Sequence, residues 1–131
     1  MHSNNVAMKL WIDDIRPAPD ESWTIARTVT SAINFIHRYR KELEVVSFDH
    51  DISYQIQVGE LSRPYPSPET FVPAAQFLAV AYSHTEFKER PKVHIHTANP
   101  VGKDALVDTL AAGFDVAVNM MGVANRLEQE V

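Results

Sequence analysis

Val45-Val46-Ser47-Phe48-Asp49-His50-Asp51 is the stretch on which the fold turns. A short apolar run ends abruptly in two carboxylates and an imidazole. The run reads as a strand buried on both faces, as in a parallel sheet. The same arrangement occurs twice more. Val6 to Ile12 is apolar apart from Lys9 and runs into Asp13-Asp14, and Lys92 to His96 runs into Thr97-Ala98-Asn99. Parallel strands deliver their carboxyl ends to one edge of a sheet, where open α/β folds bind ligands. Clusters far apart in sequence are therefore expected to meet in one polar pocket.

Outward from these runs, Arg16-Pro17-Ala18-Pro19-Asp20 forms a turn-rich loop. Trp23 to Val29 is β-branched and aromatic and reads as a second strand. Thr30-Ser31 opens a helix with Ala32, Ile33, Phe35, Ile36 and Tyr39 at helical spacing. Residues 53–69 hold Gly59, Pro64, Pro66 and Pro68 and read as a long inserted loop, the kind that serves as a lid or binding surface. Pro68-Glu69-Thr70 starts a second helix reaching about Phe87. Asn99 as N-cap and Pro100 at the first helical position open a third, with Gly113 as its stop. Asp115 to Met121 is the last strand, and residues 123–131 are a tail or short helix. The order β-β-α-β-α-β-α-β predicts one three-layer, doubly wound parallel-sheet α/β domain over residues 6–122, with helices on both faces.

With 131 residues, the chain has the length of one domain, and at 45% hydrophobic it can fill a single core. A net charge of −5 argues against bulk nucleic-acid binding, which needs clustered Lys and Arg. With no cysteine, any metal must be held by oxygen or imidazole. There is no apolar run of about 20 residues, so no membrane span is expected. The N-terminus does not read as a signal peptide, and the default expectation is a cytoplasmic protein.

The chemistry of the clusters points to a divalent cation and a phosphate. Asp13, Asp14, Asp49 and Asp51 offer the hard oxygen ligands that suit Mg²⁺, or Mn²⁺ if an imidazole joins. Asp13 and Asp14, being adjacent, would face opposite sides if the strand continued through them. Asp49 is the leading candidate for ligand or nucleophile. His50 and His96 are candidates to move a proton, with His94 deeper in the strand and structural. Arg16 offers a bidentate phosphate contact. Asn99, Gly102 and Lys103 open a helix whose free N–H groups favour a phosphate.

An acidic pair after the first strand, Asp49 after the third and Thr97-Ala98 after the next resemble the receiver fold of two-component signalling, with Asp49 at the phosphoacceptor position. Two features depart from it. A Pro-rich loop stands where the usual first helix would be, and Asn119 stands where the receiver lysine is expected, with Lys103 as the nearby substitute. The chain more closely resembles a divergent group, the cyclic-phosphate processing receiver domains. The residues that carry this likeness are Asp13-Asp14-Ile15-Arg16-Pro17-Ala18-Pro19, Asp49-His50-Asp51 and His96-Thr97-Ala98-Asn99-Pro100. The resemblance implies a receiver-like (flavodoxin-like) fold, with Thr97 beside the bound phosphate. It also implies a phosphoester-handling activity toward cyclic phosphates on nucleotides or RNA ends. The alternative is a non-catalytic receiver-like regulator that binds a protein partner through 53–69.

Overall fold

The computed structural model describes residues 7–119. They run β1 (Met8–Ile12), β2 (Trp23–Ala26), α1 (Val29–Arg38), β3 (Leu43–Phe48), β4 (Asp51–Val58), β5 (Leu61–Thr70), α2 (Val72–Ala81), β6 (Lys92–His96), α3 (Pro100–Leu110) and β7 (Val116–Asn119). Five strands form a parallel sheet in the order β2-β1-β3-β6-β7. This is the receiver-like, flavodoxin-like arrangement, and no helix joins β1 to β2.

Strand periodicity sorts the central strands into two faces. Leu10, Ile12, Val46, Phe48, Val93 and Ile95 share one face and are fully buried. Ala32 and Ile36 of α1, Ala75 and Leu78 of α2, and Leu106 and Leu110 of α3 join them in one core. The described helices thus lie side by side on a single face, where both faces were expected to carry helices. The expected tail or helix at 123–131, the end of the last strand beyond Asn119, and Val6 lie outside the described residues.

On the opposite face the β1–β2 loop takes over part of the missing helix's role. Trp11 Nε1 donates to the Arg16 carbonyl at 3.2 Å, and Arg27 Nη1 braces the carbonyls of Asp13 and Arg16 at 3.1 and 2.6 Å. Trp11 is buried there, edge-on to Trp23. His94, expected to be deep and structural, is exposed, because no described helix covers its part of the sheet.

Helix α1 begins at Val29, slightly earlier than expected, because Thr28 and Ser31 form a reciprocal capping box. The strand before it stops at Ala26 rather than Val29 for the same reason. Thr28→Ala should cost about 1 kcal/mol in urea denaturation, the usual worth of such a cap. An unchanged midpoint would show that packing alone sets this helix start.

The segment 53–69 differs most from expectation. It is no loop: β4 and β5 form an antiparallel hairpin turning at Gly59, whose φ is +63°. Strand β5 accommodates Pro64 and Pro66 because they are two apart, opposite Gln55 and Ser53, so both nitrogens fall on the same edge of the ladder, where no donor is needed. Pro68 lies in the irregular stretch between the Ser53–Pro66 and Asp51–Thr70 pairs. The strand runs on through Thr70, so α2 starts at Val72, and it ends at Ala81 rather than near Phe87.

Candidate functional site

The backbone ladder carries two strands one residue past their ends. Asp13 N–H donates to the Ala26 carbonyl at 3.1 Å, and Asp49 N–H to the Ile12 carbonyl at 2.8 Å. Both carboxylates are buried in consequence. Asp13 Oδ1 then accepts the amides of Ile15 and Arg16 at 3.0 and 2.8 Å, which reverses the chain immediately after the strand. The strand has therefore ended before Asp14, and adjacent aspartates need not diverge. Asp13, Asp14 and Asp49 each bring a carboxylate oxygen within 4.8 Å of the others. Arg16 reaches over the pair at the bottom, 3.6 Å from Asp13 and 3.5 Å from Asp49.

One guanidinium faces three carboxylates, and the electrostatics follow from that imbalance. Burial, reinforced by the negative charge of Asp13, pushes the Asp49 carboxyl up to about 7 against the opposing pull of Arg16 and the His50 amide. Burial also acts to raise Asp13. Its hydrogen bonds from His96, Arg16 and Ile15 outweigh that and hold it below the ordinary carboxylate range. A pocket with surplus buried negative charge and only oxygen donors has the make-up to hold a metal ion.

His96 is placed differently from a catalytic acid or base. Its Nε2–H donates to Asp13 Oδ2 at 3.0 Å, and its Nδ1 accepts from Ser47 Oγ at 2.6 Å. Its ring stacks on Trp11, 3.6 Å between centroids and 5° from parallel. Burial lowers its pKa despite the adjacent Asp13, which favours the neutral ring, and the tautomer protonated at Nε2 satisfies both contacts. With both nitrogens engaged, His96 has none left for a substrate proton; it holds Asp13 in place.

His50 is tied to two carboxylates. Its backbone N–H donates to Asp49 Oδ1 at 2.8 Å, and its Nδ1–H to Asp51 Oδ1 at 2.7 Å. Asp51 stands apart from the three-carboxylate group, accepting also from Asn99 Nδ2 at 3.1 Å. Thr97 is buried and its Oγ1 accepts the Asn99 amide at 3.1 Å.

The N-terminus of α3 does not present the free amides expected of a phosphate cradle. Asn99 Oδ1 takes the amides of Val101 and Gly102 at 3.0 and 3.1 Å, and the Asn99 carbonyl takes that of Lys103 at 2.8 Å. Gly102 is buried against the His50 ring. Lys103 Nζ pairs with Asp104 at 2.5 Å and does not line the pocket, so it does not stand in for a receiver lysine.

Above the carboxylates lies an open cavity of about 620 Å³, lined by Asp14, Arg16, Asp49, Asp51, Thr97 and Asn99. Ile52, Ser53 and Ser67 of the hairpin complete its wall. Sequence reading missed Ser53, which belongs to no motif. Its amide and hydroxyl both bond Asp14.

A parallel sheet ordered this way, with an acidic pair, a third aspartate and Thr-Ala at its carboxyl edge, defines a receiver-type domain. The chain belongs to the cyclic-phosphate processing receiver domain family, whose model matches residues 8–112. No curated protein and no solved structure matches it. Among the described residues no helix is long and apolar enough to cross a membrane.

Proposed function

We propose that this domain holds Mg²⁺ or Mn²⁺ at Asp13, Asp14 and Asp49 and hydrolyses a cyclic phosphate, on a nucleotide or an RNA end. The observation that carries this reading is the charge imbalance beneath the cavity. Asp49 is poised near 7 by burial and by Asp13, and one guanidinium offsets three carboxylates. When bound, the cation supplies Lewis-acid stabilisation of charge on a phosphoryl oxygen. Arg16, a third exposed, orients the phosphate from the cavity side. Hydrolysis joins a water oxygen to phosphorus, breaks one ring P–O bond and leaves a proton on the released hydroxyl. Asp51 lines the cavity and accepts the water proton, with His50 hydrogen-bonded behind it.

The test is ³¹P NMR of nucleoside 2′,3′-cyclic phosphates incubated with the protein and Mg²⁺ or Mn²⁺, beside Asp49→Asn. Conversion to a monophosphate by wild type alone is expected, and the product isomer identifies the bond cut. Turnover by Asp49→Asn at the wild-type rate would defeat the assignment.

The hairpin favours a second reading, a non-catalytic regulator that binds a protein partner. Its strands pack chiefly on each other and stand beside the pocket. Absence of turnover with either ion, together with a partner whose capture is lost on shortening the hairpin, would favour it.

A further inference from the structure

The hairpin and the acidic cluster meet at one carboxylate oxygen. Ser53 N–H and Ser53 Oγ–H both donate to Asp14 Oδ2, at 2.7 and 3.0 Å, across 39 residues of sequence. The β4–β5 pairing slips between Asp51 and Ser53, so Ile52 is out of register there and packs against the core. Such irregularities re-aim neighbouring residues, frequently beside active sites. Here Ser53 presents both of its donors to the same acceptor. Two donors on one oxygen hold it in place, while Asp14 offers a carboxylate oxygen to the group it forms with Asp13 and Asp49.

We propose that Ser53 is a positioning residue: it orients Asp14 as a cation ligand and thereby couples the hairpin to occupancy of the site. The inference rests on the metal reading given above. Hydrogen-bond partners that orient a ligating carboxylate commonly change metal affinity by about 10–100-fold when removed. The coupling is reciprocal. If the docked hairpin favours the cation, the cation favours the docked hairpin by the same factor. Ser53 lies outside the three-carboxylate group and reaches it through its two hydrogen bonds to Asp14.

The experiment uses the full chain and Mn²⁺ as probe, with free ion read by electron paramagnetic resonance. Wild type is compared with Ser53→Ala and Ser53→Thr, and circular dichroism checks folding. Ser53→Ala should bind Mn²⁺ about 10-fold more weakly. Ser53→Thr, which keeps the hydroxyl, should restore most of the affinity. In amide-exchange mass spectrometry, Mg²⁺ should slow exchange across residues 51–70 in wild type and less so in Ser53→Ala. Wild-type affinity in folded Ser53→Ala, or equal loss in Ser53→Thr, would overturn the positioning role and leave the metal reading intact. Failure of wild type itself to bind Mn²⁺ would overturn both.

Discussion

Asp49→Asn should make the ion-free protein more stable at pH 7, by about 2–4 kcal/mol. The Asp49 carboxyl rises from 3.8 to about 7 on folding, chiefly through burial and then through Asp13. Each pKa unit corresponds to about 1.36 kcal/mol, which sets the upper figure. The sign follows from linkage. The folded state holds this proton more tightly, so its contribution is fully present below pH 3.8 and is lost as pH rises through about 7. Wild type should therefore weaken progressively between about pH 4 and 7 relative to the variant, and the gap should close near pH 4. An asparagine keeps an oxygen for the His50 amide and brings N–H donors to the acidic neighbours. Added Mg²⁺ or Mn²⁺ should reverse the order, because only wild type gains binding free energy from the ion. Urea denaturation in chelator and in millimolar cation, at several pH values, checks both halves. A variant less stable than wild type at pH 7 in chelator would mean that Arg16 already balances the pocket. The destabilising residue is the one the proposed chemistry needs, as expected where a site is built from buried charge.

The sheet and its carboxyl edge were legible because each central strand announces its own end. Apolar runs closing at Ile12, Phe48 and His96 put Asp13, Asp49 and Thr97 where parallel strands converge. The missing first helix was legible in the proline-rich stretch after Asp14. Four features were not. The hairpin was hidden because Pro64, Pro66 and Pro68 read as strand breakers; only the two-residue spacing of Pro64 and Pro66 hinted that a ladder could tolerate them. The role of His96 was hidden because its partners, Asp13 and Ser47, lie 83 and 49 residues away. An imidazole at a strand end looks catalytic until both its nitrogens are found occupied. Ser53 gave no signal, since a lone serine in a polar stretch acquires meaning only from the carboxylate it meets. The start of α3 was misread for a related reason. Asn99 was identified as a cap, yet the cap itself takes the amides a phosphate would need.

Gly102→Ala should destabilise the protein by about 1–3 kcal/mol, the cost of overpacking a filled site. Helix propensity alone gives the opposite sign, since Ala in place of Gly within a helix is worth about 1 kcal/mol of stabilisation. The contact decides between them. A Cβ on Gly102 would collide with the His50 ring, at its Cβ, Cγ and Nδ1. That ring cannot retreat freely. Its Nδ1–H is bonded to Asp51, its backbone N–H to Asp49, and its carbonyl accepts the Phe71 amide at 2.9 Å. Moving it would pull on Asp49 and Asp51 together, so the variant should also lose turnover of a cyclic phosphate. A double-mutant cycle with His50→Ala isolates the cause. In the His50→Ala background the ring is gone, and Gly102→Ala should become neutral or stabilising, as helix propensity dictates. If Gly102→Ala stabilises the otherwise wild-type chain, the glycine is not needed for close approach. If it destabilises both backgrounds equally, the cost lies elsewhere in α3. The expected sign change would tie Gly102 to the placement of His50, and through His50 to Asp49 and Asp51, two of the carboxylates that line the cavity.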